Sequence, residues 1–188
     1  MLKQLCNKRR LGQIDLTRSR VRLYRIAYAW SHSQSIADDL TQEAMEKALK
    51  KIDQLKEHAA LDGWLYKILA NCWRDYCRQQ REMDDIQDYS LSEEDHPETQ
   101  YARRRVNDLV HQAISDLPED QRQIVTLIDI GGASYIDVSE ILEIPMGTVM
   151  SRLSRARKKL AVLLLPQRSQ LDVYDVKATN VYSIREKQ

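Results

Sequence analysis

Between Arg152 and Lys159 the chain places five cations and no anion: Arg152, Arg155, Arg157, Lys158 and Lys159. Wound as a helix of 3.6 residues per turn, this stretch puts Met150, Ser151, Ser154, Arg155 and Lys158 on one side and Arg152, Arg157 and Lys159 on its flanks. Hydroxyls and guanidiniums on such a face donate hydrogen bonds to base edges in a major groove, and flanking cations meet phosphates. A second set, Arg74, Arg78 and Arg81, repeats at i, i+4 and i+7, so three guanidiniums share a face about 10 Å long, comparable to about three phosphate steps of one strand. Trp73 and Tyr76 lie among them. Cations interleaved with rings suit single-stranded nucleic acid, where rings stack on exposed bases. Tyr76 also fits a core stripe, and Trp73 suits either role. A third set, Asp39, Gln42, Glu43, Glu46 and Lys47, forms a polar face that on its own reads as solvated.

These side chains need helices to position them. Val149, Leu153, Ala156 and Leu160 fall at i, i+4, i+7 and i+11, the buried stripe of the cationic helix. Ahead of it, Ser134 and Asp137 form a capping-box-like start, with Val138, Ile141 and Leu142 at helical spacing. Ile144-Pro145-Met146-Gly147 interrupts, since proline restricts the residue before it and Gly147 admits the dihedrals of a turn. A charge run alone is most simply a solvated face, but a short helix, a Pro-x-Gly turn and a cationic helix together read as a helix-turn-helix.

Upstream, Leu23, Ile26, Ala27 and Trp30 mark a helix ending before Ser31-His32-Ser33. Ser35 and Asp38 resemble a second capping box, opening a helix to about Ile52 with Leu40, Ala44, Met45, Ala48, Leu49 and Ile52 apolar. After a connector near 53–62, a third helix runs from about Gly63 to Glu82 on Leu65, Ile68, Leu69, Cys72 and Tyr76. Helical pattern resumes with Val106, Leu109, Val110, Ala113, Ile114 and Leu117. Pro118 suits the first turn of the next helix, with Glu119 and Asp120 well placed against its dipole, and Gly131-Gly132 ends it. The expected fold is all-α: an arm at 1–20, a helical domain at 21–83, a flexible acidic linker at 84–105, a helix-turn-helix domain at 106–165 and a tail at 166–188. The tail's loosely alternating Val and Tyr residues leave it open as disordered, strand-like or a cover for another surface.

The chain has 188 residues, 30 % of them charged, with five Gly, four Pro and no Phe, a helical composition. Its net charge of +1 hides a pattern. Residues 1–83 hold 16 Lys and Arg against 10 Asp and Glu, whereas 84–113 hold 3 against 8. A basic unit therefore precedes an acidic strap. No apolar run approaches the roughly 20 residues of a membrane span, and the first residues lack an apolar signal core, so membrane insertion is not expected and the cytoplasm is. Cys6, Cys72 and Cys77 make no Cys-x-x-Cys pair, and Cys72 reads as a buried thiol. His32, His58, His96 and His111 make no metal spacing with them. Without a nucleophile–base pair, phosphate loop or metal cluster, neither an enzyme nor a cofactor is expected.

Taken together, the two halves resemble the extracytoplasmic-function sigma factors, the compact class of bacterial transcription initiation factors. In the first half the resemblance rests on Asp-Asp-Leu-Thr-Gln-Glu-Ala-Met-Glu-Lys-Ala (38–48) and Trp-Leu-Tyr-Lys-Ile-Leu-Ala-Asn-Cys-Trp-Arg-Asp-Tyr (64–76). In the second it rests on Asp-Leu-Pro-Glu-Asp-Gln-Arg (116–122), Gly-Gly-Ala-Ser-Tyr (131–135) and Pro-Met-Gly-Thr-Val-Met-Ser-Arg-Leu-Ser-Arg-Ala-Arg (145–157). It covers about residues 22–82 and 106–163.

The resemblance implies a non-catalytic factor that binds core RNA polymerase and directs it to promoter DNA. Asp39, Leu40, Gln42 and Glu43 match the segment that docks on the polymerase clamp. Asn71 matches a loop asparagine that captures a flipped base of the minus-10 element, with Trp73, Arg74 and Arg78 holding the melted strand. Ser151, Arg152 and Arg155 match positions that read the minus-35 element, and Lys158 shares their face. The acidic linker matches the segment that threads the polymerase near the nascent RNA path. An inhibitory anti-sigma factor is a further partner the family admits.

Two features depart from the pattern: Met150 stands where the family commonly has arginine, and the tail after Pro166 is extra. Tethering two weak DNA-binding units on one machine raises their effective concentration, so the isolated chain is expected to bind DNA poorly. The rival reading is an autonomous helix-turn-helix repressor or activator. It needs a dimer to span two half-sites and leaves Asp39–Glu43 and Trp64–Arg78 without a task.

Overall fold

A computed structural model describes residues 18–52, 55, 57–84 and 109–165. Most of the N-terminal arm, nearly all of the acidic linker and the tail lie outside the described residues. Helix α1 spans 18–31, so residues 18–20, expected in the arm, already belong to it. Helix α2 is Gln34–Lys51, and a short 3-10 turn at His58–Ala60 leads into α3, Leu61–Asp84. In the second half, α4 spans 109–115 and α5 is Glu119–Val125, continuing into a single π turn at Thr126–Ile130. Helices α6, Tyr135–Leu142, and α7, Met146–Leu164, complete it. Among the described residues there is no strand, and no helix is long and apolar enough to cross a membrane.

Local chemistry sets the helix ends. Ser134 and Asp137 form the reciprocal capping box expected: the Asp137 N–H donates to Ser134 Oγ at 3.1 Å, and the Ser134 N–H donates to Asp137 Oδ2 at 2.9 Å. For α2 the cap is Ser33 rather than Ser35, because Ser33 is the residue in extended conformation (ψ 131°) and its side chain accepts the Ile36 N–H. The turn between α6 and α7 also differs from expectation. Gly147 lies inside α7, and the left-handed residue is Glu143 (φ 59°), whose N–H donates to the Ser139 carbonyl. Ser139 Oγ then donates to the Ile144 carbonyl at 2.6 Å, satisfying the turn locally. Pro145 immediately precedes α7, where its missing N–H costs nothing.

α2 packs along α3, α5 and α6 both pack on α7, and α3 also packs against α6. The two halves therefore share one core. Leu23, Ile26 and Trp30 of α1, Leu65, Tyr66 and Leu69 of α3, Ile124 and Leu127, Val138 and Ile141 of α6, and Val149, Leu153 and Ala156 of α7 form a single buried cluster. Burying each large apolar side chain is worth about 1.5–3 kcal/mol relative to leaving it in water. Of the positions expected on the apolar side of α2, Leu40, Ala44 and Ala48 are buried, whereas Leu49 is half exposed.

Candidate nucleic-acid and partner-binding surfaces

On α7 the buried stripe fixes which side chains face out. Val149, Leu153 and Ala156 are buried, so Met150, Ser151, Ser154, Arg155 and Lys158 project into solvent. The flanking cations do not stay free. Arg152 Nε pairs with Asp120 Oδ2 of α5 at 3.0 Å, and Arg157 makes two hydrogen bonds to Asp129, at 3.3 and 2.5 Å. Lys159 donates to the Asp116 carbonyl at 2.5 Å. Three acidic or carbonyl partners on α5 and its borders thus anchor the flanks. Arg155 makes one long contact, 3.4 Å to the Ser151 carbonyl, and Lys158 has no ion pair among the described residues. Of the minus-35 candidates, Arg155 and Lys158 stand clear of the scaffold, Ser151 is exposed with its hydroxyl donating to the Thr148 carbonyl at 3.1 Å, and Arg152 is held to Asp120.

The α3 surface is arranged differently. Asn71 is not in a loop: α3 runs unbroken through it, and its exposed Oδ1 accepts from Arg74 at 2.6 Å. Arg78 donates to Asp75 at 3.0 Å. Trp73 is 8 % exposed, packed against Trp30 at a ring separation of 6.2 Å and stacked on Tyr76 at 5.6 Å. Its Nε1 donates to Glu119 of α5 at 3.1 Å, and Arg74 approaches Glu143 of the α6–α7 turn at 3.9 Å. A cleft of about 360 Å³ between α3 and α5 is lined by Arg74, Cys77, Arg78, Arg81, Glu82 and Glu119. The expected cation array is therefore present, but Trp73 offers no free ring face here: Trp30 and Tyr76 of the first half pack on its ring, and Glu119 of the second half takes its N–H.

Sequence reading missed the bonds that hold this cover in place. Trp30 Nε1 donates to Thr126 Oγ1 at 2.7 Å in the core, and Tyr66 donates its hydroxyl to the Gly131 carbonyl at 2.7 Å, also buried. The π turn makes both possible. The Gly131 N–H reaches back five residues to the Thr126 carbonyl at 2.9 Å, turning Thr126 toward Trp30 and Gly131 toward Tyr66. At Gly131 a Cβ would lie 2.5 Å from the Leu127 carbonyl oxygen and 3.2 Å from Ile26 and the Tyr66 ring, so the position needs glycine. Arg122 completes the seam, donating across it to the Trp30 carbonyl at 3.1 Å and, within its own half, to the Ser115 and Leu117 carbonyls at 3.0 Å. Next to it, His32 caps α1 in a left-handed conformation (φ 55°). Although His32 as a residue is exposed, desolvation of its ring, with Arg122 and His111 nearby, lowers its pKa to about 4.

The acidic face of α2 presents Asp39, Gln42 and Glu43 to solvent, with Lys47 bridging Glu43 at 2.8 Å. Leu40 does not join them. It is 3 % exposed, because it lies on the α3-facing side of α2 with Ala37 and Ala44. A small cleft of about 110 Å³ between α2 and α3 combines Asp39 and Glu43 with Asp75, Tyr76 and buried Cys72. Burial raises the Cys72 pKa and pushes the Cys77 thiol up to about 11, so neither has the thiolate character of a reactive cysteine. Among the described residues no group of His, Cys, Asp or Glu is arranged to hold a metal ion.

Comparison with known proteins bears on both halves. Sigma-70 region 2 matches residues 16–83, and Sigma-70 region 4 matches residues 107–160. The ECF RNA polymerase sigma factor EcfG of Rhodopseudomonas palustris is 36 % identical over 140 residues, covering 73 % of this chain and 76 % of that protein. The ECF RNA polymerase sigma-E factor of Haemophilus influenzae is 31 % identical over 146 residues, covering 71 % and 77 %. Among solved structures, the sigma factor RpoE in complex with the anti-sigma factor NepR from Bartonella quintana aligns with a TM-score of 0.71 at 33 % identity, covering 81 % of this chain and 96 % of that one. The chain belongs to the ECF family of RNA polymerase sigma factors.

Proposed function

We propose that this chain is a non-catalytic cytoplasmic initiation factor that binds core RNA polymerase and selects promoters, reading a minus-35 element with α7 and the melted minus-10 strand with α3. The observation that carries this reading is the pairing of regions 2 and 4 in one chain with a solvent-exposed donor face on α7. Ser151, Arg155 and Lys158 supply donors to bases and phosphates, and Arg152, steadied by Asp120, stands at the phosphate flank. Asp39, Gln42 and Glu43 meet a basic polymerase surface, with Leu40 supporting them from the core side. Asn71, Arg74 and Arg78 track the melted strand, and Trp73 joins them once region 4 moves away. The working units are 21–83 and 106–165, joined by the acidic linker at 84–105.

An anti-sigma factor is a further partner. The RpoE alignment is broad enough to span both halves, so their packing resembles a sigma factor held by its inhibitor.

Size-exclusion chromatography of the full chain with core polymerase, followed by in vitro transcription on a genomic library, tests the proposal. Co-elution and a discrete set of start sites are expected. Tight, specific duplex binding by the chain alone with no gain from polymerase would favour the autonomous repressor or activator instead.

A further inference from the structure

Met150 is a large apolar side chain, 52 % exposed on a helix face otherwise built of hydroxyls and cations. Ser151 follows it and Ser154 lies one turn on, both exposed. It is the fifth residue of α7, in the N-terminal part of the helix, the part of a recognition helix that reaches base edges. Arg157, which borders the same cleft as Met150, is drawn off by Asp129, while Ser154 and Lys158 stand beside Met150 as separate donors and leave its own position apolar. Met150 also borders a shallow cleft of about 430 Å³ with Tyr135, Leu153 and Ala161, so its flexible side chain has room to change pose.

A thioether donates no hydrogen bond and accepts only weakly. Set against guanine it leaves the N7 and O6 acceptors unpaired, and against cytosine or adenine it strips water from an amino group and returns nothing. The apolar group in the major groove is the thymine C5 methyl. We infer that Met150 is a specificity-determining residue that selects a thymine in the minus-35 element by apolar contact with its methyl group. This rests on the assignment of α7 to the minus-35 element.

The test uses the full chain with core polymerase and a promoter library randomised through the upstream element. The wild type is expected to enrich thymine at one position, and Met150→Ala to lose that preference while keeping the others. In a selected promoter, replacing that thymine by deoxyuridine removes the methyl and alters no protein atom. It should weaken wild-type binding about three- to five-fold, the factor for burying one methyl, and leave Met150→Ala unaffected. Deoxyuridine without effect on the wild type, or an unchanged thymine preference in Met150→Ala, overturns the inference. Failure of the wild type to enrich any sequence with polymerase overturns the α7 assignment itself, and this inference with it.

Discussion

The two cationic helices proposed to meet DNA are in opposite states. On α7 the base-reading side lies open, its flanking cations anchored by Asp120, Asp129 and the Asp116 carbonyl. On α3 the corresponding groups are occupied: Glu119 takes the Trp73 indole N–H, and Glu143 lies against Arg74. Carboxylates of the second half thus stand beside the indole N–H and the guanidinium proposed to hold the strand. α3 also meets its own cations, Arg74 donating to Asn71 and Arg78 to Asp75, so the other half supplies only part of the occupation. On the proposed reading, strand capture by α3 requires regions 2 and 4 to part, and duplex reading by α7 gains its strength only when both regions are tethered on polymerase.

That contrast can be broken at the seam. The largest effect is expected from Arg122→Leu, which strips the donor from three carbonyls and should cost about 3 kcal/mol in thermal unfolding. Strand binding by α3, measured with single-stranded minus-10 oligonucleotides, should rise as stability falls. A variant that loses stability with no gain in strand binding would show that the seam does not gate α3. Gly131→Ala forces a Cβ against Ile26 and Tyr66 and should cost about 1–3 kcal/mol with the same gain. Tyr66→Phe removes one buried bond to the Gly131 carbonyl, worth about 1 kcal/mol by denaturant titration.

On the open side, Arg155→Ala is expected to weaken upstream-element binding roughly ten-fold while sparing polymerase association. Unchanged promoter choice would remove α7 from the groove.

The smallest effect concerns pH. With the His32 pKa lowered to about 4, the folded chain resists a proton that the unfolded chain accepts below its ordinary value near 6.5. Seam stability should therefore fall as pH drops from about 6.5 toward 4. Facing His32 are Arg122 and His111, which oppose protonation, and Asp116, which favours it. His32→Asn keeps a residue tolerant of the left-handed conformation and should flatten that part of the melting profile relative to wild type. An unaltered profile would assign the acid sensitivity to other groups.

Much of this was legible in the chain itself, wherever the signal was local. The Val149, Leu153 and Ala156 stripe, the Ser134–Asp137 capping box and buried Cys72 each announce themselves within one helix. The seam does not. Trp30 and Thr126 lie 96 positions apart and Tyr66 and Gly131 65 apart, and each residue by itself reads as ordinary core or turn. Gly131-Gly132 hides two different needs: Gly132 for its left-handed backbone (φ 73°), and Gly131 for the approach of Tyr66. Helix continuity through Asn71 followed from the periodicity, whereas the family match that put Leu40 among polymerase-facing residues carried no information on its burial.

Separation of the two halves on polymerase binding is most directly measured by energy transfer between dyes at Lys50 on α2 and Val162 on α7, both exposed, introduced as non-cysteine labels. High transfer in the free chain that falls when core polymerase is added is the expected result. Low transfer from the outset, or high transfer that persists in the polymerase complex, would contradict a covered α3 that polymerase uncovers.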